Sequence, residues 1–218
     1  MFRVDLHVHT KYSPDSTTSL SNILKRAINK NLDCIAITDH GTIEGALFLK
    51  DMAPFQVIVG QEIKTTQGDI IGLFLSKGIP SGLGVIEAAE CVKRQGGLVV
   101  LPHPFDKIRG SALSSEAIAD VLPMTDIIEG FNARNVFRGS DRMAVELANS
   151  NNIPIVAVSD AHSLPELGST YIQVPKLSND PKEFLRVIKQ GFLVEKRSNP
   201  LVHFITTYNS LLKQFLLR

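Results

Sequence analysis

No stretch of this 218-residue chain approaches the roughly 20 apolar residues of a membrane span, and its opening Met-Phe-Arg-Val-Asp-Leu-His lacks the apolar core of a signal peptide. A cytoplasmic protein with no membrane span is expected. Cysteine is scarce: Cys34 and Cys91 stand far apart with no Cys-x-x-Cys, and both read as buried, reduced thiols. An excess of charge is missing too. Lysine plus arginine (23) against aspartate plus glutamate (22) leaves a net +1, so no global field favours a long nucleic-acid track. An anionic ligand must be held locally, and nucleic acid is expected only as a small or short substrate. There is no fixed-period repeat, low-complexity segment or linker, and the length suits one domain over residues 1–218.

What is present is an alternation. Short apolar runs rich in β-branched residues recur at Phe2 to Leu6, Cys34 to Thr38, Val57 to Val59, Ile70 to Leu75, Leu98 to Leu101, Ile127 to Ile128 and Ile153 to Val158. Several are apolar nearly throughout, the pattern of strands buried on both faces of a parallel sheet. Helical segments fall between and after them: Leu20 to Lys30 behind Ser19, Gly84 to Gln95 before Gly96-Gly97, Asp141 to Ser150, and Pro181 to Gln190 behind Asp180. Strand alternating with helix predicts an α/β fold, either an open doubly wound sheet or a barrel. Residues 201 to 217 carry apolar side chains along one helical face, which predicts a helix packed on the domain, with a dimer contact or a membrane-surface helix as the lesser readings. The oligomeric state is left open.

Five of the six histidines stand at or just beyond the end of an expected strand: His7 and His9, His40, His103 and His162. Carboxylates accompany them in Asp5-Leu-His-Val-His9, Thr38-Asp-His40, Gly60-Gln-Glu62, Ile128-Glu-Gly130 and Ser159-Asp-Ala-His162. One such histidine is ordinarily structural, as His203 on the polar side of the last helix is read. Five at the same end of successive strands point to one shared site, and favour barrel-like closure. Imidazole and carboxylate suit divalent Zn, Mn or Fe. A His-x-His pair leaving a strand puts both rings on one face, because side chains alternate with period two.

The ordered series His7-Val-His9-Thr10, Tyr12-Ser-Pro-Asp15, Ile37-Thr-Asp-His40, Gly60-Gln-Glu62, Pro102-His103-Pro104 and Asp160-Ala-His162 resembles the polymerase and histidinol phosphatase (PHP) superfamily. Its motifs span residues 5–162, leaving 163–218 for closing strands and C-terminal helices. The resemblance implies a distorted seven-stranded (β/α)7 barrel with two or three divalent metal ions at the C-terminal rim of the strands. It implies His7, His9, Glu62 and Asp160 around one ion, Glu62 bridging to a second shared with His103, and Asp15, His40 and His162 around a third. Asp69 and Glu129 stand where many members have further histidines. As ligands they would shift the second ion toward Mn or Fe.

The expected chemistry is hydrolysis of a phosphate monoester or diester of a nucleotide, sugar phosphate or short oligonucleotide. Its nucleophile would be metal-activated hydroxide, positioned by His7, His9, Glu62 and Asp160. No Ser-His-Asp arrangement is evident. Arg134 and Arg138 are the first candidates for substrate phosphate, with Lys107 and Arg109 behind them. The alternatives are an amidohydrolase-type C–N hydrolase, a PHP-type exonuclease acting on oligonucleotides, and a metal-binding interaction protein without turnover.

Overall fold

The computed structural model describes residues 1–106, 108, 110–202, 204, 206–208 and 213. Lys107, Arg109 and His203 lie outside the described residues, as does most of the helix expected over 201–217. The first half of the chain forms β1 (Phe2–Val8), α1 (Leu20–Asn29), β2 (Cys34–Ile37), α2 (Glu44–Met52), β3 (Gln56–Thr65), β4 (Gly68–Leu73), α3 (Val85–Arg94) and β5 (Leu98–Leu101). There follow α4 (Ser115–Val121), β6 (Ile127–Asn132), α5 (Arg138–Ser150), β7 (Ile155–Val158), β8 (Tyr171–Val174), α6 (Pro181–Ile188) and β9 (Phe192–Val194). No helix among the described residues is long and apolar enough to cross a membrane.

The helices begin where the sequence offers an oxygen to an orphan amide. Ser19 Oγ accepts from Asn22 N at 3.3 Å ahead of α1, and Asp180 Oδ1 accepts from Glu183 N at 2.8 Å ahead of α6, whose first residue is Pro181. β2 and β5 are buried along their whole length, because helices cover the outer face of the sheet and other strands face the inner one.

The sheet has nine strands, ordered β7-β6-β5-β4-β3-β2-β1-β8-β9, where seven were expected. β1, β2 and β3 run parallel, as do β5, β6 and β7. β4 is antiparallel to both of its neighbours, because residues 66 and 67 are too few for anything but a hairpin after β3. β8 and β9 add an antiparallel pair beside Phe2–Val4, the start of β1. The other end of β1 has a different neighbour: His9 N donates to Ala161 O at 2.9 Å, just past β7. This contact nearly closes the sheet into a barrel.

Two bulges decide what faces the interior. Opposed residues on paired strands share a face, so Val4 opposite Cys34 and Val8 opposite Ile37 lie on opposite sides, and the register slips between Asp5 and Val8. Leu6 follows Val4 into the inner apolar cluster by ordinary alternation, and the slip turns His7 to that same side. A second slip separates Glu129 from Phe131 in β6.

Candidate metal centre

Each donor is delivered by an element end or an irregularity. His7 and His9 leave β1. His40 follows Asp39, whose carboxylate accepts from Thr10 N at 2.6 Å and Thr10 Oγ1 at 2.7 Å and so fastens the loop carrying Asp15. Glu62 was expected at a strand end, yet it lies inside β3, where that strand leaves β2 and turns to pair with β4. His103 and Asp160 hold left-handed backbone, with φ of 30° and 51°, which aims both side chains back into the barrel.

Four atoms converge at the centre. His7 Nε2 lies 2.9 Å from His9 Nε2 and 3.1 Å from Glu62 Oε2, His9 Nε2 lies 3.3 Å from that oxygen, and both nitrogens lie 3.5 Å from Asp160 Oδ1. A tetrahedral ion with ligands at about 2.0–2.1 Å has ligand-to-ligand edges of about 3.3 Å. The four atoms therefore fit a divalent transition metal. The chemistry of the set agrees, since two imidazole Nε2 atoms pointed at each other are best satisfied by a shared cation.

A second group surrounds Asp15. Its Oδ2 is 3.4 Å from His40 Nε2 and 3.0 Å from His162 Nε2, and His9 completes a set of donor atoms within 4.8 Å of one another. Glu62 faces both ways: Oε2 also lies 3.5 Å from His40 Nε2, while Oε1 is 3.2 Å from His103 Nε2. Asp69 converges with His40 and Glu62, and its buried Oδ1 has no hydrogen-bond partner. Glu129 stands behind the donors instead. Its Oε1 is 2.6 Å from His7 Nδ1, on the far side of the ring from the other ligands.

Burial and charge pull the titrations apart. Burial alone would strip the proton from His7, but Asp160, Glu129 and Glu62 outweigh it and raise its pKa well above the usual value. His40 responds alike, burial lowering it and Glu62 and Asp15 lifting it to about 10. Burial opposes ionisation of Glu62 and Asp15 as well, yet the facing imidazoles hold both carboxyls well below their usual range. Burial, helped by Glu62, pushes Asp69 up to about 6. Burial, His9 and Arg134 push His162 down to about 3.

A cavity of about 340 Å³ opens onto these groups, lined by Asp15, His40, Glu62, His103, Asp160 and His162 together with Ile108, Arg134 and Thr206. Arg134, expected near phosphate, is therefore at the site. It is buried: its Nη1 contacts His162 Nδ1, its Nε is 3.4 Å from Glu166 Oε1, and its Nη2 donates to Thr206 Oγ1 at 2.5 Å. Arg138 is not brought there. It opens α5 and lines a separate cleft with Phe131, Asp141 and Arg197. Sequence reasoning missed Asn132, Glu166 and Ser13, whose Oγ donates to Asp15 Oδ1 at 2.7 Å and accepts from His40 N at 3.3 Å. Only a polar residue ending an apolar strand could have flagged Asn132.

The chain matches the model of the PHP domain over residues 5–129 and that of the PHP-associated family over 139–192. An uncharacterized protein of Methanocaldococcus jannaschii is 35% identical over 210 residues, covering 91% of this chain and 85% of the relative. A second from the same organism is 42% identical over 146 residues, covering 60% and 82%. Among solved structures, a two-domain protein of Bacteroides vulgatus containing a predicted PHP-like metal-dependent phosphoesterase superposes with a TM-score of 0.72 at 16% identity, over 95% of this chain and 69% of that one. The lesion-specific endonuclease EndoQ of Pyrococcus furiosus superposes with a TM-score of 0.64 at 15% identity, over 91% and 59%. At those identities the superpositions speak for the fold alone. The family match, which takes in more than half of the residues, carries further: this chain belongs to the PHP domain family.

Proposed function

We propose that this protein is a metal-dependent phosphoesterase that hydrolyses a phosphate monoester or diester. His7, His9, Asp15, His40, Glu62, His103, Asp160 and His162 would hold two or three divalent ions, Zn, Mn or Fe. The observation that supports it most is Glu62, whose two carboxylate oxygens face different nitrogens within one cavity. That is the arrangement a bridging ligand between neighbouring ions needs. Such ions, when bound, acidify water and compensate charge on the oxygens of a phosphoryl group.

The chain's own groups prepare the site for that chemistry. With His7 neutral, the Glu129 carboxylate would hold its one proton on Nδ1 and leave the Nε2 lone pair facing the centre. Asp160 presents Oδ1 to the same point. Arg134, its guanidinium held by His162, Glu166 and Thr206, would bring positive charge to the cavity wall beside a bound phosphoryl group.

A trough of about 960 Å³ adjoins the cavity, shares Asp15 and His40 with it, and is lined by Lys64, Thr66, Gln67, Ser81 and Ser111. Its size and hydroxyl-rich wall favour a substrate with a polar group beyond the phosphorus, such as a diester or short oligonucleotide. The test is turnover by Mn- or Zn-loaded protein of p-nitrophenyl phosphate, bis(p-nitrophenyl) phosphate and a cyclic amide. Ester hydrolysis that EDTA abolishes and added metal restores is expected, with the diester favoured if the trough is used. Turnover of the amide alone would replace this reading with a C–N hydrolase.

A further inference from the structure

Behind the first set of donors lies a hydrogen-bonded clamp built by β6. Glu129 and Asn132 are three residues apart and both fully buried. In a regular strand they would point to opposite faces. The register slip at Gly130 removes one alternation: Glu129 pairs with Val156, Phe131 with Ala157, and Asn132 with Val158. Val156 and Val158 both belong to the inner cluster, so Glu129 and Asn132 both face inward. A side chain at 130 could not be accommodated, because a Cβ there would lie 2.9 Å from Ile155 Cβ.

Asn132 Nδ2 donates to Glu129 Oε2 at 2.8 Å and to Asp160 Oδ2 at 3.1 Å. Its Oδ1 accepts from Arg134 N at 2.9 Å, which fixes which end of the amide faces the carboxylates. The same Glu129 oxygen accepts from His103 N at 2.8 Å, and the other meets His7 Nδ1. One amide thus joins the acceptor behind His7 to the second oxygen of Asp160, whose first oxygen faces His7 and His9.

We propose that Asn132 is a positioning residue for the metal centre: by holding Asp160 Oδ2 it makes Asp160 offer a single oxygen, and by holding Glu129 it fixes the ring of His7. The inference rests on the metal-centre reading above. Two carboxylates packed this closely in a buried site also need a donor between them, and the two N–H groups of one amide supply it. Partners of this kind outside the ligand shell alter metal affinity by about 10–100-fold when removed.

The test uses the full-length protein with Asn132→Asp, which keeps the volume and loses the donor, and Asn132→Leu, which keeps much of the volume without adding charge. Zn²⁺ affinity is read by competition with a chromogenic chelator, and coordination by the visible absorption of the Co²⁺-loaded protein. Wild type is expected to give a defined set of Co²⁺ bands. Each variant should bind the ion about 10–100-fold more weakly and shift those bands, because Asp160 Oδ2 and Glu129 are no longer held by the amide. A folded variant with wild-type affinity and spectrum overturns the inference, since mere packing by Asn132 would leave the cobalt bands unmoved. If Asn132→Asp does not fold, Asn132→Leu decides the matter alone. Wild-type protein that binds neither metal would instead sink the metal-centre reading itself.

Discussion

The two ends of the barrel interior are made by the same strands and are chemically opposite. Near the start of the strands the interior is filled by Val4, Leu6, Cys34, Ile58, Val100 and Ile127, with Phe184 of α6 buried among them and edge-on to Phe74 at 5.2 Å. Near the other end the interior positions carry Glu62, His7, Glu129 and Asn132, all buried and joined in that order by hydrogen-bond contacts. The apolar end gains free energy by excluding water. The polar end spends it, because every buried charge there must be matched by a partner or an ion. The lesson is that the lower packing sets the stage on which an otherwise unfavourable cluster can be held still.

This contrast can be broken at either end. Replacing His7 and His9 together by alanine should cut metal-dependent turnover by more than about a hundredfold, beyond the effect of outer-shell partners. Far-UV circular dichroism should meanwhile remain that of the folded barrel, and persistence of full activity would refute their assignment. Phe184→Ala should do the reverse. Urea unfolding is expected to register a loss of about 3–5 kcal/mol, while elemental analysis finds unchanged metal per chain; lost metal in the folded variant would mean that the two ends are not separable.

A smaller effect is expected from pH. An imidazole whose pKa is raised in the folded state stabilises metal-free protein fully below about 6.5. For His40 that contribution disappears as the pH rises toward about 10. Metal loading requires those protons to leave, so it is disfavoured at the acid end. The rise in melting temperature on adding Mn or Zn should therefore be smallest near about pH 6 and grow toward about pH 9. A rise that is flat across that range would remove the link between ring protonation and metal uptake.

Most of the polar end was legible in the sequence because histidine and aspartate are conspicuous beside short apolar runs such as Cys34–Ile37 and Leu98–Leu101. Other features leave little mark. The slips at Leu6 and Gly130 come from pairing across strands, so neither the inward turn of both Glu129 and Asn132 nor the place of Glu129 behind His7 can be read from period-two alternation. α2 escaped notice because its N-cap is Ile43, which offers no side-chain oxygen, and because Gly45 interrupts it. That glycine answers to a distant contact: a Cβ would lie 2.2 Å from Asp39 Oδ2, the carboxylate that fastens the Asp15 loop. β8 and β9 are short and partly exposed, and their position beside β1 depends on a contact between residues far apart in the chain.

The left-handed backbone at His103 and Asp160 has a consequence for how this protein can change. Non-glycine residues in that region cost of order 1–3 kcal/mol each. Glycine would relieve the backbone at both positions and delete a donor in the same step. Laboratory selection for heat tolerance alone would thus relieve backbone strain at these two places only by disarming the protein, while selection that also demands metal uptake would hold His103 and Asp160 in place and drive improvement into the apolar end.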